Sequence, residues 1–312
     1  MYLDHAGSAL YSQAQLTAVF NELSVNCYGN PHSRNPSSNL CSELIEKTRL
    51  QVLKFFNADP NVYSLVFTSG ATESLKLVGE NFDFFSDSNQ TDTEKSCGSF
   101  VYLRESHTSV VGMREYMLQD HIPTYSLPAH SIDTQLTDPE KYCNQTKTSS
   151  GSTNDSKADG SKDSNSLFVY PAQCNFSGYK YPLEWISRSQ NGLLKLNHLK
   201  AEYCINETVA RKRSDTNQWY CLLDAASFVS TNRLDLSVWQ PDFVAISFYK
   251  VIGYPTGLGA LLVHRRADHT LKKRYFGGGT VEMFSSARNL RVNRRLLHER
   301  SVTAGFKNVP EF

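Results

Sequence analysis

Charge of one sign is what this sequence has least of: 32 Lys and Arg stand against 31 Asp and Glu, a formal net charge of +1 over 312 residues. That balance gives no electrostatic case for nucleic acid or for an anionic membrane surface, so any partner must be recognised locally. No apolar stretch approaches the roughly 18 residues of a membrane span. Met1-Tyr2-Leu3-Asp4-His5 has neither the basic start nor the apolar core of a signal peptide, and a cytoplasmic address follows by default. The seven cysteines (Cys27, Cys41, Cys97, Cys143, Cys174, Cys204 and Cys221) form no Cys-x-x-Cys pair and no Cys/His cluster with zinc spacing. Reduced, structural thiols and no metal centre are expected. Apolar residues are almost missing from Asn144 to Asn165, a composition that cannot bury enough surface to order itself. A flexible surface insertion is expected over 144–166.

What is present suffices for a sizeable core, with 40% hydrophobic residues, and reads as one large domain plus part of another. Ser12 to Asn26 carries Leu16, Val19, Phe20 and Leu23 at helical spacing, and Ser38 to Phe56 repeats the pattern through Leu40, Leu44, Ile45, Val52, Leu53 and Phe56. Short apolar runs at Ser64–Phe67, Phe100–Leu103, Leu167–Tyr170, Tyr220–Leu223, Phe243–Ile246 and Gly259–Val263 read as buried strands. Helical stretches at Thr72–Phe82 and Thr108–Leu118 fall between them, so the alternation predicts an α/β fold with a mainly parallel, mixed sheet between helices. Lys195 to Arg213 reads as a solvated helix or loop.

Chemistry-bearing residues sit where these strands end, the place at which open α/β sheets bind ligands. Lys250 follows the run Phe243–Ile246 and precedes a glycine-rich turn, which suits a Schiff base to a phosphate-bearing aldehyde; a lone lysine is otherwise a solvated charge. Thr68-Ser69-Gly70-Ala71-Thr72-Glu73-Ser74 joins a strand to a helix, and its small residues let an anion approach Ala71 and Thr72 at the helix N-terminus. The plainer reading there is a helix start capped by Ser69 or Thr72. Asp224 ends an apolar run and needs a cationic partner such as a pyridinium nitrogen, unless it only caps the next turn. His107 could stack on a flat heteroaromatic ring and relay protons, or simply finish a turn. Asn175 could donate to a ring oxygen, or be a turn residue before Gly178.

In that order the residues resemble the class V branch of the pyridoxal-phosphate fold-type I enzymes, which includes cysteine desulfurases, from Tyr2-Leu3-Asp4-His5-Ala6-Gly7 to about Thr280. Within the branch the sequence is similar to the molybdenum cofactor sulfurases. Gly29-Asn30-Pro31-His32-Ser33, Gln173-Cys174-Asn175-Phe176-Ser177-Gly178, Phe248-Tyr249-Lys250 through Gly259, and Tyr275-Phe276-Gly277-Gly278-Gly279-Thr280-Val281 carry that similarity. The resemblance implies a fold-type I large domain with pyridoxal 5'-phosphate as cofactor. By it Lys250 binds the aldehyde, Asp224 pairs with the ring nitrogen, His107 stacks on the ring and Asn175 meets the ring hydroxyl. Ala71, Thr72, Ser247 and Tyr249 hold the phosphate, and Thr280 reaches the phosphate of a neighbouring subunit in a homodimer. Desulfurases commonly carry a histidine before the lysine and a glutamine three residues after the aspartate. Here Tyr249 and Ser227 stand at those contacts.

The implied reaction removes sulfur from L-cysteine, leaves L-alanine, and passes the sulfur through an acceptor cysteine to the molybdopterin-bound molybdenum of xanthine dehydrogenase and aldehyde oxidase. The alternatives are another class V lyase or aminotransferase, or an inactive dimerising relic. No cysteine follows Cys221, and the family pattern is lost after Arg300. A piece of a longer protein, an alternative transcript or a misjoined gene is therefore expected, with sulfur removal impaired in this chain. The expected division is an N-terminal segment 1–30, a cofactor-binding large domain 31–265 and the start of a small domain at 266–312, the molybdopterin partner belonging to a domain beyond it. Arg288 and Arg291 could pair with a substrate carboxylate or be solvated.

Overall fold

The computed structural model describes residues 1–85, 96–137, 164–196, 199, 201–206, 210–214, 217–254, 256–272, 281–285, 287, 291–293 and 297. Seven strands form one sheet: β1 Tyr63–Thr68, β2 Phe100–Leu103, β3 Thr124–Leu127, β4 Ser164–Pro171, β5 Asn217–Asp224, β6 Phe243–Ser247 and β7 Gly259–His264. Their spatial order is β1-β7-β6-β5-β4-β2-β3. β7 runs antiparallel to both β1 and β6, and the remaining pairings are parallel. A separate antiparallel pair joins β8 (Val281–Phe284) to β9 (Arg291–Asn293).

Apolar runs become central strands here because both faces of the sheet are covered. Along β5, Cys221 and Leu223 pack into one apolar cluster while Tyr220 and Leu222 pack into another across the sheet. The first cluster receives Leu53 of α2 (Pro36–Phe55), Ile132 of α6 (Ala129–Thr137) and Trp185 of α7 (Trp185–Gln190). The second receives Leu75 and Val78 of α3 (Ala71–Asn81), Val110 of α4 (Thr108–Val111) and Met117 of α5 (Arg114–Gln119). The result is a three-layer sandwich with the parallel strand ends opening on one edge.

All six expected strands and the four expected helices lie on observed elements, with Thr108–Leu118 divided at Gly112 and Met113 into α4 and α5. β3 was not expected: it is an edge strand whose burial is only partial. Among the described residues, Lys195–Arg213 is only partly the solvated segment expected. Tyr203 and Asn206 are buried; the Asn206 side chain accepts from Thr124 N at 3.1 Å and donates to the Ile122 carbonyl at 2.8 Å. Ile205 N donates to the Thr124 carbonyl at 2.9 Å. The segment thus covers the sheet edge, a common protection of otherwise unpaired strand groups. The expected insertion lies outside the described residues as far as 163, and 164–166 already belong to β4.

α1 (Gln13–Val25) forms as its periodicity predicts, capped by Ser12, yet it buries no residue; Phe20 is 71% and Val25 82% exposed. It is tied down elsewhere, Gln15 Nε2 donating to the carbonyls of Ile252 and Tyr254 at 3.2 and 2.9 Å. No described helix is long and apolar enough to cross a membrane.

Candidate functional site

Chain segments leaving β1, β4, β5 and β6 converge on a cleft enclosing about 430 Å³, open solvent at its mouth included. It is lined by Ala71, Thr72, His107, Asn175, Asp224, Ser227, Ser247, Tyr249 and Lys250, together with Gln173 and Ser109. Every sequence-predicted cofactor or catalytic residue is therefore brought to one place except Thr280, which lies outside the described residues, as do Arg288 and the side chain of Arg291.

β6 delivers the amine. Ser247 is its last residue and is buried, and the chain turns at once into the short helix α8 (Phe248–Ile252), so Lys250 is a half-buried helical residue and not a loop residue. Gly253 closes that helix at φ 78°, a left-handed position that glycine adopts without strain. The Tyr249 carbonyl accepts from both Ala9 and Gly253 at 3.1 Å, which presses the N-terminal segment against the lysine turn.

The anion loop forms where β1 meets α3. Gly70, at φ 152° and ψ 177°, is the N-cap and makes no side-chain cap bond, so the reading of Ser69 or Thr72 as cap is overturned. A residue with a Cβ rarely adopts that backbone. Behind it, Thr68 Oγ1 donates to the Gly70 carbonyl at 3.0 Å and meets Ser74 Oγ at 2.8 Å, locking the turn. Ala71 N donates to Ser247 Oγ at 3.1 Å, so a backbone donor and a hydroxyl from distant strands meet at the helix start.

His107 caps α4 by accepting from Ser109 N at 3.1 Å on Nδ1, with Ser109 Oγ 3.0 Å from the same atom. Ser109 Oγ also meets Thr72 Oγ1 at 2.8 Å, completing a hydroxyl chain from the anion loop to the imidazole. Asp224 accepts from Ala226 N at 3.1 Å. Its carboxyl is raised above the ordinary range chiefly by burial, with the Ala226 N–H and the charges of His107 and Lys250 pulling the other way. His107 as a turn residue and Asp224 as a cap of the next turn are therefore both observed, and both side chains still reach the cleft.

Beyond β4, Pro171, Gln173 and Asn175 line the cleft while Ala172 and Cys174 pack into the core. Cys174 N donates to the Tyr179 carbonyl and Gly178 N to the Cys174 carbonyl, both at 2.9 Å, which folds 174–179 into a tight turn. Asn175 is exposed on it and Gln173 is half-buried below it. Burial pushes the Cys174 thiol up, but donation from the Ser177 hydroxyl and then from the Ser177 and Phe176 N–H groups outweighs it and leaves the thiol below its ordinary range. Gln173 and Ser109 were missed in the sequence; each stands two residues from a predicted site residue, the spacing that puts neighbours of an extended chain or turn on one side.

No group of His, Cys, Asp and Glu side chains suited to a metal ion occurs among the described residues. Solved structures share the fold: a cysteine desulfurase from Thermococcus onnurineus NA1, without ligand, superposes with a TM-score of 0.65 at 17% identity, covering 96% of this chain and 62% of that one. A cystine C-S lyase bound to its reaction product cysteine persulfide gives 0.62 at 16% identity, covering 95% and 65%. Relatives of higher identity are molybdenum cofactor sulfurases. That of Bombyx mori is 43% identical over 306 residues, 96% of this chain and 33% of its own length, and that of Homo sapiens 41% over 300 residues, 96% and 30%. The chain thus spans about a third of the length of these curated relatives. The Aminotransferase class-V profile matches residues 1–94 and 184–300, more than half of the sequence, and the chain belongs to that family.

Proposed function

We propose that this chain holds pyridoxal 5'-phosphate and serves a molybdenum cofactor sulfurase reaction, in which sulfur leaves L-cysteine and is delivered as the terminal sulfido ligand of molybdopterin-bound molybdenum in xanthine dehydrogenase or aldehyde oxidase. The observation that carries this reading is the meeting of an amine, Lys250, with a buried carboxylate, Asp224, and an anion loop, Ala71–Thr72 with Ser247, in one cleft. The fit is chemical. Asp224 sits buried with an N–H from Ala226 as its described donor and gains most from a cationic N–H, which a protonated ring nitrogen provides. When bound, the cofactor supplies an electron-withdrawing ring that stabilises negative charge at the carbon bearing the substrate amine.

The residues divide the remaining work. Ala71, Thr72, Ser247 and Tyr249 would hold the phosphate, with α3 adding the favourable end of its dipole. Lys250 Nζ would hold the cofactor at its aldehyde carbon, and its amine would take and hold the proton from the substrate α-carbon. His107, which lines the cleft, would pack against the ring. For the sulfur balance, the Cβ–S bond of L-cysteine breaks, an acceptor thiolate takes the sulfur as a persulfide, and the carbon skeleton keeps the hydrogen as L-alanine.

The division of the chain at 30 and 265 belongs to the same proposal, and the separate β8–β9 pair supports a boundary after β7. So does a homodimer, in which Thr280 would complete a neighbour's phosphate site; the exposed apolar face of α1 supports it. A cytoplasmic setting is supported by the free thiols of Cys27, Cys41, Cys97, Cys174, Cys204 and Cys221.

The test is optical. Protein mixed with pyridoxal phosphate is expected to develop an absorption band near the visible edge that Lys250→Ala abolishes, and to release alanine from L-cysteine once a thiol acceptor is added. No band in the unsubstituted chain would sink the cofactor reading; a band without alanine would sink the sulfurase reading alone.

A further inference from the structure

The pyridoxal ring carries its groups in a fixed order. Its nitrogen lies opposite the aldehyde-bearing carbon, the phosphate arm stands on one side of that carbon and the phenolic oxygen on the other. The strands that build the cleft also have an order, β1, β7, β6, β5, β4. Ala71 and Ser247, the anion cradle, follow β1 and end β6, and Asp224 ends β5. With the arm on the β1–β6 side and the nitrogen at Asp224, the phenolic oxygen faces the end of β4.

What β4 presents there is Pro171, Gln173 and Asn175. Proline has no donor, and Asn175 is exposed. Gln173 is different. Its Oε1 accepts from Asn232 Nδ2 at 3.2 Å, and that same nitrogen donates to the Phe228 carbonyl at 3.0 Å and to Thr231 Oγ1 at 2.9 Å. The carbonyl acceptor fixes which end of the Asn232 amide is nitrogen, and hence which end of the Gln173 amide is oxygen. Gln173 Nε2 meets no acceptor among the described residues, so an amide anchored by its oxygen leaves its donors to the cleft.

Resting on the pyridoxal phosphate reading, we infer that Gln173 donates to the ring oxygen and that Asn232 is its positioning residue. The pair takes the place of Ser227, which lines the same cleft three residues after Asp224 but has only a short hydroxyl. A donor at that oxygen stabilises its ionised form and weakens its hold on the neighbouring proton. The bound chromophore then loses that proton at a lower pH than it would without the amide.

The experiment is a pH titration of the visible band, with the cofactor dissociation constant measured alongside. Gln173→Met keeps the length and removes the donors. Its midpoint is expected about one unit higher, with about tenfold weaker cofactor binding, the size of a hydrogen bond to a charged group. Gln173→Glu keeps the shape with the wrong charge and is expected to shift further the same way, which covers the case of a Met variant that does not fold. Asn232→Ala is expected to shift less, in the same direction. Substituted proteins that titrate and bind as the unsubstituted chain overturn the inference and leave the cofactor reading standing. An unsubstituted chain that never forms the band overturns both.

Discussion

Asp224 is under opposed demands. Its carboxyl is raised mainly by burial, so between the ordinary carboxylate range and the raised value the folded protein binds more protons than the unfolded chain. Stability therefore falls as pH rises through that window. Asp224→Asn, which can still accept from Ala226 N, is expected to stabilise the cofactor-free protein at pH 7 by about 1 kcal/mol, a gain of roughly 2–4 °C. The gain should vanish below the window, while cofactor binding is lost at every pH. Thermal melts at pH 7 and pH 3.5 check this, and a variant that melts lower than the parent at pH 7 contradicts it. At this scale the sequence was legible wherever a reactive residue type stood at the end of an apolar run, as Lys250, Asp224 and His107 do. It was silent on Gln173, because an amide gains meaning only from Asn232, 59 residues away. It was equally silent on Ser109, whose part depends on Thr72, 37 residues away.

Among the elements, the packing of two glycines decides whether the anion loop can exist. A Cβ on Gly259 would lie 2.4 Å from the Ile246 carbonyl oxygen and 2.5 Å from Gly70 Cα, both backbone atoms. A Cβ on Gly70 would meet nothing nearer than Ser247 Oγ at 4.0 Å, but its φ of 152° would be strained. Gly259→Ala is expected to cost about 1–3 kcal/mol through overpacking, and Gly70→Ala a similar amount through backbone strain. Urea denaturation should show both losses. Cofactor binding should weaken in both as well, since each displaces the loop that presents Ala71 N; unchanged binding in either would mean that the loop is not the anion cradle. Strands buried on both faces were readable as apolar runs. β3 was not, because Thr124-Tyr125-Ser126-Leu127 at the edge lacks such a run. α1 was readable as a helix, but its spacing could not tell that its apolar face finds no cover within the described chain.

For the molecule as a whole, the end of the sheet opposite the cleft is held by one carboxylate. Asp242 is fully buried; it accepts from Arg266 through both oxygens, from Cys221 N at 2.8 Å and from Gln190 Nε2 at 3.0 Å. These bonds tie β5, the start of β6 and the segment after β7. Arg266→Met strands the charge and is expected to cost roughly 2–3 kcal/mol, less than a fully buried pair because the Arg266 side chain is 37% exposed. The absorption band formed with pyridoxal phosphate should be unaffected, as the clasp lies at the far end. A band lost at temperatures where the variant is still folded would show the two ends to be coupled.

The antiparallel β7 has a consequence for how the protein is made. β1 pairs along its whole length with β7 and with no other described strand, Tyr63 opposite His264 and Thr68 opposite Gly259. A ribosome adding about 5–20 residues per second takes roughly 10–40 s to make the chain between them. During that time β1 and the loop behind it have no partner in the sheet. The anion loop is thus translated before the lysine yet positioned after it, and a nascent chain stopped just past Lys250 would carry the amine without the cradle.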